Sequence, residues 1–454
     1  MHVLHQACGF HNPNLGYSFV GAYPLCMSAS ALNAPDLRAW IDIPFQHDFP
    51  IQNLPFGVFE TDERGPRLAV AIGDYVLDLY VLSQFGFFDD LTELSDAQPR
   101  VFRRRSLNAF LRLGRPAWRA VRQRVSELLR HDNADLRDNP EAARDALVRQ
   151  RDVAMLRPVK PANYTDFYSS LTHAANVGTM FRGPENPLLP NWRHLPVAYH
   201  GRASSIVVSG THIRRPQGQI LAPGADAPTF GPSQQLDFEL EMAFVVGTAS
   251  TLGTPVPVEQ AESHIFGLCL FNDWSARDLQ SWEYAPLGPF LGKNFGSSLG
   301  PWVVTLDALE PFRTAGPAQE PTPLPYLQTT GYQHFNVQLE AALTPTGGAE
   351  TVLTRPTFQG LYWSMAQQLA HHTSNGCNLE VGDVYASGTI SDPDAFGSLL
   401  ELAARGTQPV PLADGTTRAF LLDGDTVTLR AYAEADGVRI GFGEVSGTIL
   451  PATE

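Results

Sequence analysis

Cysteine is scarce in this chain. Its four residues, Cys8, Cys26, Cys269 and Cys377, lie far apart with no CxxC pair, which excludes a thiolate zinc site and a disulfide-stapled small domain and fits a reducing compartment. Basic charge is also short: 32 Lys and Arg face 47 Asp and Glu, for a formal charge of −15. No general surplus is left to neutralise nucleic-acid phosphates. No Lys or Arg precedes Arg38 and no apolar run approaches the length that spans a bilayer, so neither a basic-headed signal peptide nor a membrane segment is expected. Internal repeats and low-complexity tracts are absent too, which sets solenoids and coiled coils aside. A soluble, cytoplasmic protein that binds neither nucleic acid nor membrane is the expectation.

What is present is a chain of 454 residues, 43% hydrophobic, with 38 Gly and 36 Pro. That is enough for two or three domain cores, and the turn-forming residues favour many short strands over long helices. Residues 1–40 read as a Gly/Ser/Ala/Asn/Pro-rich N-terminal extension, in which Met27 offers a second possible start. Residues 41–157 form a small domain. FGVFET and RLAVAIGDYVLDL are strand-like, with Gly73-Asp74 placed as a tight hairpin turn. Arginines 103, 104, 105, 112, 115, 119, 122 and 124 alternate with apolar residues at helical spacing, which predicts arginine-faced helices broken near Gly114 and Pro116. A further helix is expected near Asn139–Asp152, and the prolines of MLRPVKPANYTDF mark the boundary. Residues 158–454 form a long β-rich domain whose helical candidates are Val258–Phe266, SARDLQSWEY and Phe358–Ser374.

The segment DFELEMAF, Asp237–Phe244, carries the strongest chemical signal. As a strand it puts Glu239 and Glu241 on one face, roughly 7 Å apart along the backbone. A hard divalent cation would relieve their repulsion; alone, the segment better suits a solvated acidic face. Asp166 in NYTDFYSS and Asp273 in LFNDWSARD are the carboxylates best placed to join them, and four carboxylates suit Ca²⁺ or Mg²⁺ rather than zinc. His173, seven residues after Asp166, is the candidate base. His371 and His372 are adjacent on a helix, point about 100° apart and make no metal clamp. Arg277, Gln280 and Tyr284 share a helical face, and Lys293 follows in a glycine-flanked loop, so their donors could converge on an oxyanion or could simply be solvated. GPFLGKN misses the phosphate-loop spacing by one residue. GSSLG matches a serine-nucleophile motif around Ser298, but a strand-like PWVV follows where that motif needs a helix.

Several long segments, NYTDFYSSLTHAANVGTMFRG, LLPNWRHLPVAYHGRASSIVVSGTHIRRPQGQ, LDFELEMAFVVG, IFGLCLFNDWSARDLQSWEYAPLGPFLGKNFG, NGCNLEVGDVYASGTIS and FGSLLELAARGT, resemble the fumarylacetoacetase (fumarylacetoacetate hydrolase) family. The likeness runs from about Asp48 to the C-terminus. It implies a mainly β fold with some α: a small N-terminal SH3-like barrel, then a large mixed β-roll catalytic domain, assembled as a homodimer. It implies metal-dependent hydrolysis of 4-fumarylacetoacetate to fumarate and acetoacetate, the last step of tyrosine and phenylalanine degradation through homogentisate. By motif position, Asp166, Glu239, Glu241 and Asp273 hold calcium or magnesium, with Lys293, Gly296 and Ser297 at a magnesium contact. His173 is then the base, Glu401 its orienting carboxylate, and Arg277, Gln280 and Lys293 the oxyanion donors. Tyr168, Arg182, Tyr199, Gln280, Tyr284 and Thr389 match substrate contacts. Ser297 stands where the family usually has threonine, and TISDPDAFGSLLE is a couple of residues short of the animal pattern, so Glu401 is placed by FGSLLEL. An acylpyruvate hydrolase or decarboxylase, a serine hydrolase using Ser298, and a non-catalytic metal-binding protein are the alternatives.

Overall fold

The computed structural model describes residues 29–454 apart from 95, 96 and 98. Strands dominate, as expected, in three main sheets. The first is an antiparallel half-barrel of five strands, ordered Leu147–Arg149, Tyr75–Asp78, Arg67–Ile72, Phe56–Glu60, Ala154–Leu156. Ile72 pairs with Tyr75, so Gly73-Asp74 is a two-residue turn, and Gly73 takes the positive φ of +50° that such a turn requires.

The arginine-rich helix starts after Gly114, with Pro116 in its first turn, and runs Arg115–Leu129. Its apolar stripe, Trp118, Val121, Val125, Leu128 and Leu129, is buried. The helix is amphipathic, as expected, but one arginine of its polar face is interior. Arg122 is buried and donates through Nη2 to Asn33 Oδ1 at 3.0 Å and the Gln52 carbonyl at 2.7 Å. Burial pulls its pKa down to about 10. Arg115 and Arg119 pair with Asp307 of the larger domain. The helix is therefore wedged between the two parts of the chain, and its arginines form a seam. Residues 1–28, most of the expected extension, lie outside the described residues; Leu32 and Asn33 are buried, with Asn33 Nδ2 donating to the Asp307 carbonyl at 2.6 Å.

Four expected helices are shorter than their sequence windows, that of SARDLQSWEY covering only Arg277–Glu283. Pro140–Ala146 gives way to a strand that Tyr75–Asp78 captures by pairing, and Val258–His264 is a 3₁₀ helix. In the Phe358–Ser374 window the α-helix covers only Met365–Thr373, because Ser364 and Gln367 close a reciprocal capping box there.

The larger domain is built on an eight-stranded sheet. Its order is Ala198–Gly201, Tyr164–Phe167, Val384–Ala386, Leu240–Val246, Ile265–Asp273, Ser297–Leu299, Ile206–Val208, with Val304–Thr305 pairing onto Ile265–Asp273. One face, through Leu240, Met242, Phe244, Leu268 and Leu270, packs on a five-stranded sheet that contributes Val337, Leu339, Val427, Leu429 and Phe442. The other face, through Ala243, Val245, Cys269 and Phe271, shares a core with the half-barrel and the Arg115–Leu129 helix. Strand alternation decides what comes next. Glu239 and Glu241 continue the row of Ala243 and Val245, Asp273 the row of Cys269 and Phe271, and Asp166 the row of Tyr164. All four carboxylates thus occupy the half-barrel side of the sheet, at its end, where polar side chains replace the apolar cover.

Candidate metal centre and active site

Register brings the carboxylates together. Asp166 pairs with Ala386, Ala386 with Ala243, Glu241 with Phe271, and Asp273 with Ser297. One oxygen from each of Asp166, Glu239, Glu241 and Asp273 lies within 4.8 Å of the others, and all four residues are buried. Asp166 Oδ1 and Glu241 Oε1 have no hydrogen-bond partner. Burial, reinforced by the neighbouring carboxylates, pushes the Asp166 and Glu241 carboxyls well above their usual range. Glu239 behaves oppositely: burial would raise it, but Lys293 and Arg277 outweigh burial and hold it low.

Two orphaned carboxylate oxygens in an acidic cluster are what an oxygen-ligated cation requires. Two positive side chains face the four carboxylates. Lys293 Nζ donates to Glu239 Oε2 at 2.6 Å and Asp273 Oδ2 at 2.7 Å, and Arg277 Nη1 donates to Glu239 Oε1 at 2.7 Å. A divalent ion would balance the remaining charge. The residues fit Ca²⁺ or Mg²⁺, since every ligand offered is an oxygen and no thiolate or imidazole joins them.

The supporting contacts come from the same sheet and from the turn that follows Val384–Ala386. Tyr164 donates its hydroxyl to Asp166 Oδ2 at 3.1 Å, and Tyr199 donates to Asp273 Oδ2 at 2.7 Å. Ser297, the serine in place of threonine, donates to Asp273 Oδ1 at 2.9 Å, so the hydroxyl is used and the missing methyl is not. Gly296 lies next to it and can act only through its backbone. The Gly388 N–H donates to Glu241 Oε2 at 3.1 Å from a backbone with φ of +77°, and a Cβ there would lie 2.1 Å from the Phe167 carbonyl. Gly388→Ala is therefore expected to cost about 2–4 kcal/mol of stability and to weaken cation binding, read by melting temperature and titration calorimetry. Unchanged values in both would contradict this account of the loop.

His173 sits in the first turn of the helix Leu171–Arg182, whose N-cap Ser170 accepts the His173 N–H at 3.2 Å. Its Nδ1 is 2.7 Å from Glu401 Oε2. Glu401 also accepts from Asn176 Nδ2, Ser391 Oγ and Ser398 Oγ, each at 2.9 Å. Burial alone would raise its carboxyl, but the contacts with His173, Asn176 and Ser398 bring it below the ordinary value. The shortened loop closes on itself through Asp392 and Ala395, leaving Glu401 in reach of the histidine.

Other expected contacts are more dispersed. Tyr168 stands edge-on to His173, ring centroids 5.3 Å apart, and Thr389 is buried with its hydroxyl unpartnered. Gln280 Oε1 accepts from Arg277 Nη1 at 3.4 Å. Tyr284 is exposed at the end of that helix, and Arg182 is exposed, bonded to the Pro187 carbonyl. Ser298 is buried inside a strand and accepts from Trp274 Nε1, so it is no nucleophile elbow. His371 and His372 bond Tyr326 and Tyr385, away from the carboxylates.

Residues 163–450 match the family model for fumarylacetoacetate hydrolase, C-terminal, and residues 52–158 the one for fumarylacetoacetase, N-terminal. The chain belongs to the fumarylacetoacetate hydrolase family. Curated members similar to it include the fumarylacetoacetases of Arabidopsis thaliana, 52% identical over 92% of this chain and 99% of that protein, and of Rattus norvegicus and Homo sapiens, each 50% identical over 91% and 99%.

Family membership leaves some contacts unannounced. Asn176 lies three residues after His173 on one helix, and Ser398 precedes Glu401 by the three residues of a capping pattern, so both were visible as spacings. Lys293 carried a further signal: the chain has only two lysines, Lys160 and Lys293. Where arginine is the default cation, a buried lysine marks a place that needs a compact charge.

Proposed function

We propose that this protein hydrolyses the C–C bond of 4-fumarylacetoacetate to fumarate and acetoacetate, as a calcium- or magnesium-dependent homodimer of the cytoplasm, ending tyrosine and phenylalanine breakdown through homogentisate. The observation that carries the proposal is the buried cage of four carboxylates with its Lys293 and Arg277 donors, alongside the His173–Glu401 pair, in a chain half identical to curated fumarylacetoacetases.

Asp166, Glu239, Glu241 and Asp273 would hold a divalent cation, which when bound would supply Lewis acidity to a β-diketone substrate. The protein side chains do the rest. With Nδ1–H donated to Glu401, the His173 imidazole has Nε2 free to take a proton from water, whose oxygen attacks the carbonyl carbon on the fumaryl side. Lys293 uses two N–H groups on Glu239 and Asp273 and keeps a third. Gln280 turns its oxygen to Arg277, which leaves its amide N–H groups to donate. These donors, with Arg277, hold the tetrahedral oxyanion. Collapse breaks the C–C bond, and the acetoacetate carbanion takes back the proton held on His173.

The test is loss of fumarylacetoacetate absorbance, with one fumarate and one acetoacetate released per turnover. A kcat/KM at least about tenfold above that for acylpyruvates is expected, in line with the likeness to curated fumarylacetoacetases. A preference for acylpyruvates would move the protein to that sister activity.

A further inference from the structure

Asp237 has no part in the cation cage, although its strand position puts it in the same row as Glu239 and Glu241. It is fully buried, and both its oxygens are engaged. Oδ1 accepts the Leu399 N–H at 2.8 Å and its neighbour Phe238 N–H at 2.8 Å; Oδ2 accepts the Leu400 N–H at 3.0 Å and Arg277 Nε at 2.9 Å. Leu399 and Leu400 are the first two residues of the helix Leu399–Leu402, the turn that carries Glu401. One carboxylate therefore grips two pieces of machinery that are far apart in sequence: the guanidinium facing Glu239, and the turn bearing the partner of His173.

The alternatives for those groups are poor. Without Asp237 the Arg277 guanidinium keeps only Glu239 and the long contact to Gln280, and would swing toward the cage. The Glu401 turn would lose acceptors for two of its N-terminal N–H groups, which otherwise stay unsatisfied in the interior. A neutral amide has one acceptor oxygen and could serve only one of the turn's two N–H groups. Only a carboxylate can also hold the guanidinium by charge-assisted bonds.

We propose that Asp237 is a positioning residue that sets the oxyanion donor Arg277 and the His173–Glu401 pair in one fixed register. The proposal rests on the hydrolase assignment above. Its role is indirect, because its hydrogen bonds go to Phe238, Arg277, Leu399 and Leu400 and to none of the four cage carboxylates.

The test is Asp237→Asn in the metal-loaded enzyme, alone and combined with Arg277→Gln. The single variant is expected to lose about 10- to 100-fold in kcat with KM and Ca²⁺ affinity within about twofold. In the Arg277→Gln background the same change should cost at least about threefold less than it does in wild type, because one of the two groups it positions has gone. An equal loss in both backgrounds, or an unchanged kcat in the single variant, overturns the proposal. Should Asp237→Asn fail to fold, Asp237→Glu keeps the charge but moves it by one methylene, and a wild-type kcat there overturns it equally. A separate readout guards the premise: the ¹⁵N NMR signal of the His173 Nδ1–H bonded to Glu401. If wild type turns over no fumarylacetoacetate, the hydrolase assignment fails, while a His173 signal that shifts in Asp237→Asn still supports the positioning role and an unmoved one refutes it.

Discussion

Replacing His173 by alanine is expected to lower kcat on fumarylacetoacetate by about 10³-fold while leaving the cation bound, which is the range that loss of a positioned general base produces. The separation of effects follows from the contacts. The imidazole bonds Glu401 and stacks edge-on near Tyr168, and it donates to none of the four cage carboxylates. Calcium affinity measured by calorimetry should therefore stay within about twofold of wild type, because no ligand is removed. Glu401→Gln should cost less, about 10- to 100-fold, since an amide can still accept the Nδ1–H but no longer stabilises the imidazolium. The order of the two losses is the informative part. A His173→Ala enzyme that is metal-bound and within tenfold of wild type would remove His173 from the base role, and a Glu401→Gln loss exceeding that of His173→Ala would mean that Glu401 acts on more than the histidine.

How much of this was legible in the sequence depends on whether a feature is local. The hairpin at Gly73-Asp74 and the row of Glu239 and Glu241 are properties of a few neighbouring residues, and period-two alternation gives both. Asp166 and Asp273 stand out by their settings near strand ends, but their joining to that row depends on strand pairing, across more than a hundred residues for Asp166 and about thirty for Asp273, which no local pattern shows and for which the sheet register supplies the physical reason. The arginine stripe shows the opposite case. Its spacing is indistinguishable from that of a surface helix, and only the packing against Asp307 and Asn33 makes Arg122 an interior cation. Asp237 was visible in its row but had no assignable task, because its partners Arg277, Leu399 and Leu400 lie 40 and more residues away. Tertiary hydrogen bonds of that kind leave no periodic trace.

Removing the cation should abolish turnover and destabilise the fold, by an amount that grows with pH. Without an ion, Asp166 and Glu241 carry folded-state pKa values raised well above their unfolded ones, with burial the leading cause and neighbouring carboxylates next. A carboxyl raised on folding contributes stability that is fully present below about pH 4, its unfolded pKa, and is lost as pH rises through the folded value. The metal-free protein therefore stores proton-dependent stability that neutral and alkaline pH remove. A bound cation replaces the protons, so the loaded enzyme should not follow that decline. At saturating Ca²⁺ or Mg²⁺, about 1,000 times Kd, binding adds about 4 kcal/mol, which corresponds to a rise in melting temperature of roughly 5 °C for a chain of this size. The gap between chelated and loaded samples should be larger at pH 8 than at pH 5. Glu239 works the other way, because Lys293 and Arg277 overcome its burial and depress it; its contribution is present above its unfolded pKa and fades only in acid, below the window compared. Substituting Glu241→Gln removes one ionising group and one ligand together, so the variant should lose turnover and should show a smaller pH-dependent gap than wild type. If chelator leaves kcat intact, or the gap is equal at the two pH values, the cage binds no cation that matters to the fold or the chemistry.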